Sequence, residues 1–322
     1  MTATSGLRTH THSHMWVVGL LGLAAGLALL IYVPTLPAIS GAVLLFAAFH
    51  LVGAVVSLAS LYVLTNGKVL GRYRRTQASG FDFGWVPAWT YGPWIAALIC
   101  IATTIALQIV APSWWPLAMA FMLVGATFFA GGLVTNASGR YDAAVLPMVD
   151  LLAQLDGQVL DGGCGAGRTT VALGRAYSAA RIVALDRFDS DYIEGGGRKL
   201  LKRNLRLAGL TSRVEIAHGD LTAQPFPDAT FDAAVSAHAV DHLGALAPVA
   251  LSEMRRVLKP RGRFLLIVWV PGWTMFAIAN LLSFGLASKR AWRGMATEAG
   301  FAIADEGRFN GTWFAVLRKP EA

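Results

Sequence analysis

Two long stretches of this chain carry no charged side chain, and that constrains its folding more than any other feature. No Asp, Glu, Lys or Arg occurs between Arg8 and Lys68, and none between Asp82 and Arg140. Of 27 basic residues only five precede position 140 (Arg8, Lys68, Arg72, Arg74 and Arg75), and Asp82 is the one acid there. The other 22 basic and 18 acidic residues lie in 140–322, an ordinary density for a soluble domain. The chain therefore reads as two domains suited to different solvents, 1–139 and 140–322. Each half carries a formal +4, too little to imply a basic face for nucleic acid. Cys100 and Cys164 sit in unlike contexts, which argues against a disulfide framework.

A helix rises about 1.5 Å per residue, so crossing a bilayer takes roughly 20 apolar residues. Four segments meet that length: Met15–Val33, Ser40–Leu64, Trp94–Ala111 and Pro116–Thr135. Paired prolines separate the first two (Pro34 and Pro37) and the last two (Pro112 and Pro116), where a missing N–H is harmless. A cleaved leader is the weaker reading of the first segment, since its removal would leave three spans. Lys68, Arg72, Arg74 and Arg75 follow the second span, which places the N-terminus, the 65–93 loop and the second domain in the cytoplasm. The expectation is a multi-pass protein of a bacterial inner membrane, with the bilayer as its first partner. Gly19, Gly22 and Gly26 form a small-residue face for helix packing. His50, within the second span, reads as a neutral imidazole bonded to a neighbouring helix. Five aromatics between Gly80 and Pro93 read first as an interfacial belt, and second as a lid over a substrate.

The second half alternates short strands and amphipathic helices. Strands are expected at Gln158–Asp161, Arg181–Asp186, Arg213–Ala217, Phe231–Ser236 and Arg263–Val270, with helices at Arg168–Ala176, Arg198–Ala208 and Pro248–Leu258. That order gives a parallel sheet covered on both faces, with ligands at the carboxyl ends of its strands. Phe301–Asp305 and Thr312–Leu317 read as a closing antiparallel hairpin.

The chemistry concentrates where the first strand turns into the first helix, in Val159-Leu-Asp-Gly-Gly-Cys-Gly-Ala-Gly-Arg-Thr-Thr170. Gly163, Gly165 and Gly167 let the backbone turn tightly and approach a ligand. The dinucleotide spacing G-x-G-x-x-G fails, because its third glycine would fall on Arg168. Asp161 at the strand end would repel a pyrophosphate but suits a cationic ligand. Asp186 closes the second strand, where a carboxylate can accept from both ribose hydroxyls, with Arg187 beside it. Asp220, followed by Leu221, comes after the third strand, placed to meet an adenine amino group.

These stretches, with Pro225-Phe-Pro-Asp-Ala-Thr-Phe-Asp232 and Glu253-Met-Arg-Arg-Val-Leu-Lys-Pro-Arg-Gly-Arg263, resemble the class I S-adenosylmethionine-dependent methyltransferases. The likeness is greatest to the bacterial group that includes quinone and other small-molecule methyltransferases, and it covers roughly 155–265. It implies a Rossmann-like α/β domain with a mostly parallel seven-stranded sheet and a C-terminal antiparallel hairpin, after the four transmembrane helices. It implies further that Asp161 and Gly163, Gly165 and Gly167 hold the methionine moiety of S-adenosylmethionine, Asp186 the ribose, and Asp220 with Leu221 the adenine, with Arg187 a further cofactor-binding residue. Ser236 would sit near the sulfonium, and no metal is expected.

Ser236-Ala-His-Ala-Val-Asp-His242 departs from the Asn-Pro-Pro-Tyr pattern of base and glutamine methylation, so nucleic acid is a poor substrate. One thiol in the domain disfavours an arsenite reaction. His238, Asp241 and His242 are the candidate bases; the bland alternative is a helix start with Asp241 and His242 facing water. Trp269, Trp273 and Phe276 could line an apolar acceptor pocket or pack in the core. The expected function is methyl transfer to a small hydrophobic or membrane-borne acceptor such as a lipid, quinone or isoprenoid. The alternative is a non-catalytic, membrane-anchored S-adenosylmethionine-binding regulator. A transporter is disfavoured by the scarcity of intramembrane charge.

Overall fold

The structure is a computed structural model that describes residues 13–36, 39–48, 51, 80–138, 144, 146, 157–272, 275, 280–309 and 312–321. His50, the basic cluster at 68–75, the later half of the second expected span, Trp273 and Phe276 lie outside the described residues. The chain divides into two compact units, Met1–Asn66 with Tyr91–Val134, and Gly67–Thr90 with Thr135–Ala322. A single cut at 139 differs from this division by the segment up to Thr90.

In the first unit the described helices are α1 (Ser13–Tyr32), α2 (Ile39–Ala48), α3 (Pro87–Val110) and α4 (Trp115–Ser138). Two stretches, Thr90–Val110 and Pro112–Phe129, are long and apolar enough to cross a membrane; Leu20–Tyr32 and Ile39–Ala48 are apolar but shorter. The prolines act as expected: α1 stops at Tyr32, one residue before Val33-Pro34, and a Pro112–Trp114 turn separates α3 from α4. Small residues set the helix contacts. A Cβ on Gly26 would lie 2.5 Å from Leu44 Cγ, one on Gly22 3.1 Å from Ala47, and one on Gly125 3.0 Å from Cys100 Cβ. The close approach expected of Gly22 and Gly26 is present.

The second unit is a seven-stranded sheet of β1 (Gln158–Gly162), β2 (Arg181–Asp186), β3 (Val214–His218), β4 (Phe231–Ala237), β5 (Leu258–Trp269), β6 (Ala302–Phe309) and β7 (Thr312–Arg318). Its order is β3-β2-β1-β4-β5-β7-β6. Neighbours from β3 to β5 are parallel, and β7 runs antiparallel to both β5 and β6. Helices α5 (Arg168–Ala176), α6 (Arg198–Ala208), α7 (Ala247–Val257) and α8 (Lys289–Glu298) cover it.

Two-residue periodicity divides the core. Leu160, Leu185, Phe264 and Leu266 point into one cluster with Leu251, Met254 and Trp292. Val159, Ile182, Leu265 and Ile267 point into the other with Leu173, Leu201 and Leu205. Strands buried on both faces read as continuous apolar runs, which is why their positions were legible. Helix α8 was not anticipated; Ser288 caps it, its Oγ accepting from Ala291 N–H at 3.2 Å.

The strand order reverses between β1 and β4, and their carboxyl ends open a crevice where a ligand can reach the first crossover. Every residue named for the cofactor lies at or near this edge.

Candidate active site

The glycine loop leaves β1 and is fastened to β2. Leu185 C=O accepts from Gly163 N–H at 2.8 Å and from Cys164 N–H at 3.1 Å. Gly163, Gly165 and Gly167 have φ of 77°, 51° and 86°, conformations that side chains rarely adopt. At Gly163 space forbids a side chain as well, since a Cβ would meet Ala239 Cβ at 2.1 Å.

Asp161 is 1% exposed at the base of this loop. One oxygen, Oδ2, accepts from the Thr170 hydroxyl at 2.6 Å, while Oδ1 has no partner among the described residues. Burial pushes its pKa up to about 7, against the Thr170 bond and with help from the Asp186 charge. The Cys164 thiol is pushed up too, by burial and the same two carboxylates, and it is free and buried.

Asp186 closes β2, with Oδ2 accepting from Gly165 N–H and Oδ1 from Phe188 N–H, both at 2.7 Å. Burial raises its pKa in spite of those bonds. Each oxygen keeps a second lone pair for a ligand hydroxyl. Arg187 turns away to Asp189 and reaches Asp220 Oδ2 at 3.2 Å. The other oxygen of Asp220 accepts from both the N–H and the hydroxyl of Thr222, bonds that hold its carboxyl below the usual range. Asp220 is thus already engaged at both oxygens. Leu221 is 7% exposed and packs towards Gly162 and Gly163.

Ser236 on β4 is 1% exposed, and its hydroxyl has no partner among the described residues. His238 follows at φ 57°, a left-handed conformation that costs about 1–3 kcal/mol for a residue with a Cβ. Its ring stacks on Trp269, 4.2 Å between centroids, and Nδ1 lies 3.6 Å from Asp241 Oδ2. That oxygen accepts from Trp269 N–H at 2.9 Å. The Asp241 side chain is 4% exposed, so it does not face water as a bland helix start would. His242 is exposed and stacks on Tyr192. The structure thus brings together two of the three candidate bases.

Beside Asp241 and Trp269 is a cavity of 350 Å³, walled by Ala247, Leu286, Trp292 and Met295. Two buried polar atoms of its wall residues, Asp241 Oδ1 and Trp292 Nε1, have no partner among the described residues. Trp269 lines this cavity. The cavity is large enough for a small apolar molecule with one polar group.

Three further features belong to the crevice or its support. Tyr192 lies close enough to feel both Asp186 and Asp241, and burial with those charges pushes its hydroxyl up to about 12. Gly195, Gly196 and Gly197 all have positive φ, and a Cβ on Gly197 would lie 2.8 Å from the Gly165 carbonyl carbon. That run of three glycines was a signal in plain sight. The third is the segment after Gly80, where Phe81 and Phe83 are 4% and 3% exposed within the second unit's core. Phe81 and Phe83 are therefore not an interfacial belt, and no composition argument could separate the two outcomes.

The residues at the crevice fit S-adenosylmethionine. A buried carboxylate with an unpartnered oxygen suits its ammonium, a half-satisfied second carboxylate its ribose, and the glycine loop admits close approach. Comparison with known proteins agrees. Residues 160–266 match the family described as "Methyltransferase domain". The chain is similar to the sterol 24-C-methyltransferase of Eremothecium gossypii, 36% identical over 112 residues, 35% of this chain and 28% of that one. It is similar to the fatty-acid O-methyltransferase of Mycolicibacterium smegmatis, 33% identical over 127 residues, 39% of this chain and 42% of that one. A protein of Encephalitozoon cuniculi named as a methyltransferase is 31% identical over 183 residues, 50% of this chain and 78% of that one. The chain spans less than half the length of the sterol and fatty-acid enzymes, whereas it covers more than two thirds of the third relative. By that match and by the glycine loop, the chain belongs to the S-adenosylmethionine-dependent methyltransferases.

Proposed function

We propose that the protein transfers a methyl group from S-adenosylmethionine to a small, lipid-like acceptor at a membrane. The observation that carries this reading is the apolar cavity beside the His238–Asp241 pair, at the edge of the sheet where the cofactor-type acids converge. The names of the sterol and fatty-acid relatives support an acceptor of that class. The first unit supports the membrane: Leu21, Ile31, Leu98 and Ile109 expose 65%, 67%, 66% and 74% of their surface on helices without Asp, Glu, Lys or Arg. Such surfaces belong in lipid rather than water. The reading includes four spans, with the N-terminus and the methyltransferase domain cytoplasmic, a topology supported by the positive residues at 68–75.

In this reading Asp161 and the backbone of Gly163, Gly165 and Gly167 hold the methionine end, and Asp186 accepts from the ribose hydroxyls. Arg187 and Asp220 border the adenine end with Leu221, and Ser236 lies towards the sulfonium. Bound there, S-adenosylmethionine supplies an electrophilic methyl group on a positively charged sulfur. Because that displacement is in line, the chain's main task is to align the acceptor and exclude water. The cavity's apolar walls can align an apolar molecule, and Trp292 Nε1 can donate to its polar group. His238, with Nδ1 3.6 Å from Asp241 Oδ2, offers its other ring nitrogen as the group that takes a proton from the acceptor.

Asp161 makes the binding step pH-dependent. Its carboxyl titrates near 7, and an ammonium beside it favours the ionised form. Below about pH 7, therefore, binding of the demethylated product S-adenosylhomocysteine releases a proton, and affinity rises with pH until that carboxyl is ionised. Calorimetry at pH 6.5 in two buffers of different ionisation enthalpy should show net proton release; binding without it would remove Asp161 from the ammonium.

One experiment addresses the acceptor and the membrane together. Membranes carrying the protein, washed with alkaline carbonate, should retain it and should pass label from methyl-labelled S-adenosylmethionine to an organic-soluble product. Release by carbonate would overturn the integral anchor. Label confined to the aqueous phase would overturn the lipid-like acceptor.

A further inference from the structure

The segment from Gly80 to Val86 contains Asp82, the acid at which the second charge-free stretch of sequence begins, and it is built into the methyltransferase unit. Asn204, fully buried on α6, binds it through every polar atom of its amide. The Asn204 oxygen accepts from Asp82 N–H at 3.2 Å, and its nitrogen donates to Asp82 C=O at 2.8 Å and to Ala166 C=O at 2.9 Å. Ala166 belongs to the glycine loop, so one side chain ties that loop to the segment. Phe81 and Phe83 stack parallel at 6.0 Å, with the Arg175 guanidinium 4.9 Å from the first ring and Arg168 5.1 Å from the second. Arg168 and Arg175 are on α5, whose N-terminus follows the same loop.

The other end of the segment holds the opposite wall of the crevice. Val86 N–H donates to Tyr192 C=O at 3.3 Å. Gly84, at φ 64° and fixed by a bond from its N–H to Asp82 Oδ1, packs so closely that a Cβ would meet Leu200 at 2.4 Å and Ile193 at 3.3 Å. Ile193 in turn lies 3.0 Å from where a Cβ of Gly165 would be.

We propose that residues 80–86 are a positioning strap, which holds the glycine loop through Asn204 and the Tyr192–Ile193 wall through Gly84 and Val86, and so sets affinity for the cofactor. The proposal rests on the cofactor reading above. It means that the methyltransferase site is not complete in 140–322, because a loop of the apolar half supplies part of its frame. None of Asp82, Phe83, Gly84 or Asn204 touches the reacting atoms; they act through the loops they hold.

The test uses the full chain in detergent with S-adenosylhomocysteine as probe. Hydrogen exchange at the amides of Asp82, Gly84 and Val86 should slow about tenfold or more on binding, because a ligand that needs the loops ordered must also order the strap. Exchange in α8 should be unchanged. Asn204→Ala and Gly84→Ala should each weaken binding by about tenfold or more. Should Asn204→Ala fail to fold, Gly84→Ala and the exchange measurement on the unaltered protein decide. Strap exchange indifferent to the ligand, with Gly84→Ala binding as the unaltered protein does, would overturn the strap while leaving the methyltransferase standing. An unaltered, folded protein that does not bind the probe would overturn both.

Discussion

Replacing Asp186 by alanine in the full chain is expected to weaken S-adenosylhomocysteine binding by at least about 100-fold, because hydrogen bonds to an ionised acceptor contribute about 1.5–3 kcal/mol each. Two effects combine at this residue. Its carboxylate offers the free lone pairs that ribose hydroxyls require, and it accepts from Gly165 N–H and Phe188 N–H. Alanine removes the ligand contacts and also releases the middle of the glycine loop. Asparagine separates the two losses, since its carbonyl oxygen can retain one of the backbone bonds. Asp186→Asn should therefore keep the unfolding temperature close to that of the unaltered protein while still losing most affinity. Calorimetry checks both variants. Binding by Asp186→Ala within a few-fold of the unaltered protein would remove the ribose role. Asp220 should be less sensitive, because Thr222 and Arg187 already occupy its oxygens and an adenine amino group must share them.

The contrast between those two acids shows what the sequence could convey. A strand-tip acid at a crossover is a local pattern, legible because β1 and β2 are continuous apolar runs that end at Asp161 and Asp186. Helices α5 and α6 were legible to the residue, each opening just after a glycine. Occupancy was not legible: that Asp220 is paired and Asp161 half-bare depends on Arg187 and Thr170, whose side-chain directions no spacing reveals. The strap was less legible still. Phe81 and Asn204 are separated by more than a hundred residues, and five aromatics near an apolar helix have the same composition whether they meet lipid or a sheet. Phe81 and Phe83 are buried on α5 and α6, whereas Tyr91, a few residues on, is 60% exposed. One stretch of sequence thus held two environments.

The second large effect is expected on turnover and not on cofactor affinity. His238 is held in a strained left-handed conformation, stacked on Trp269 and turned towards a buried carboxylate. Strain of that kind persists only where the surroundings impose it, and here the ring is held between Asp241 and Trp269, two residues that line the apolar cavity. Asp241 makes the arrangement chemical. As a carboxylate it favours the tautomer with the proton on Nδ1, leaving Nε2 as the base and stabilising the imidazolium that forms when the acceptor loses its proton. Asparagine can keep the bond from Trp269 N–H but removes that charge. Asp241→Asn should then lower kcat by about 10²–10⁴, the range assigned to a positioned base and its partner. S-adenosylhomocysteine affinity should stay within about twofold, since the affected proton transfer belongs to the acceptor. His238→Ala should lose a similar factor and regain part of it with added imidazole. Unchanged turnover in Asp241→Asn would reduce the pair to a structural cap on β5. Lost cofactor binding in that variant would mean that the two sites share more of the crevice than their hydrogen bonds indicate.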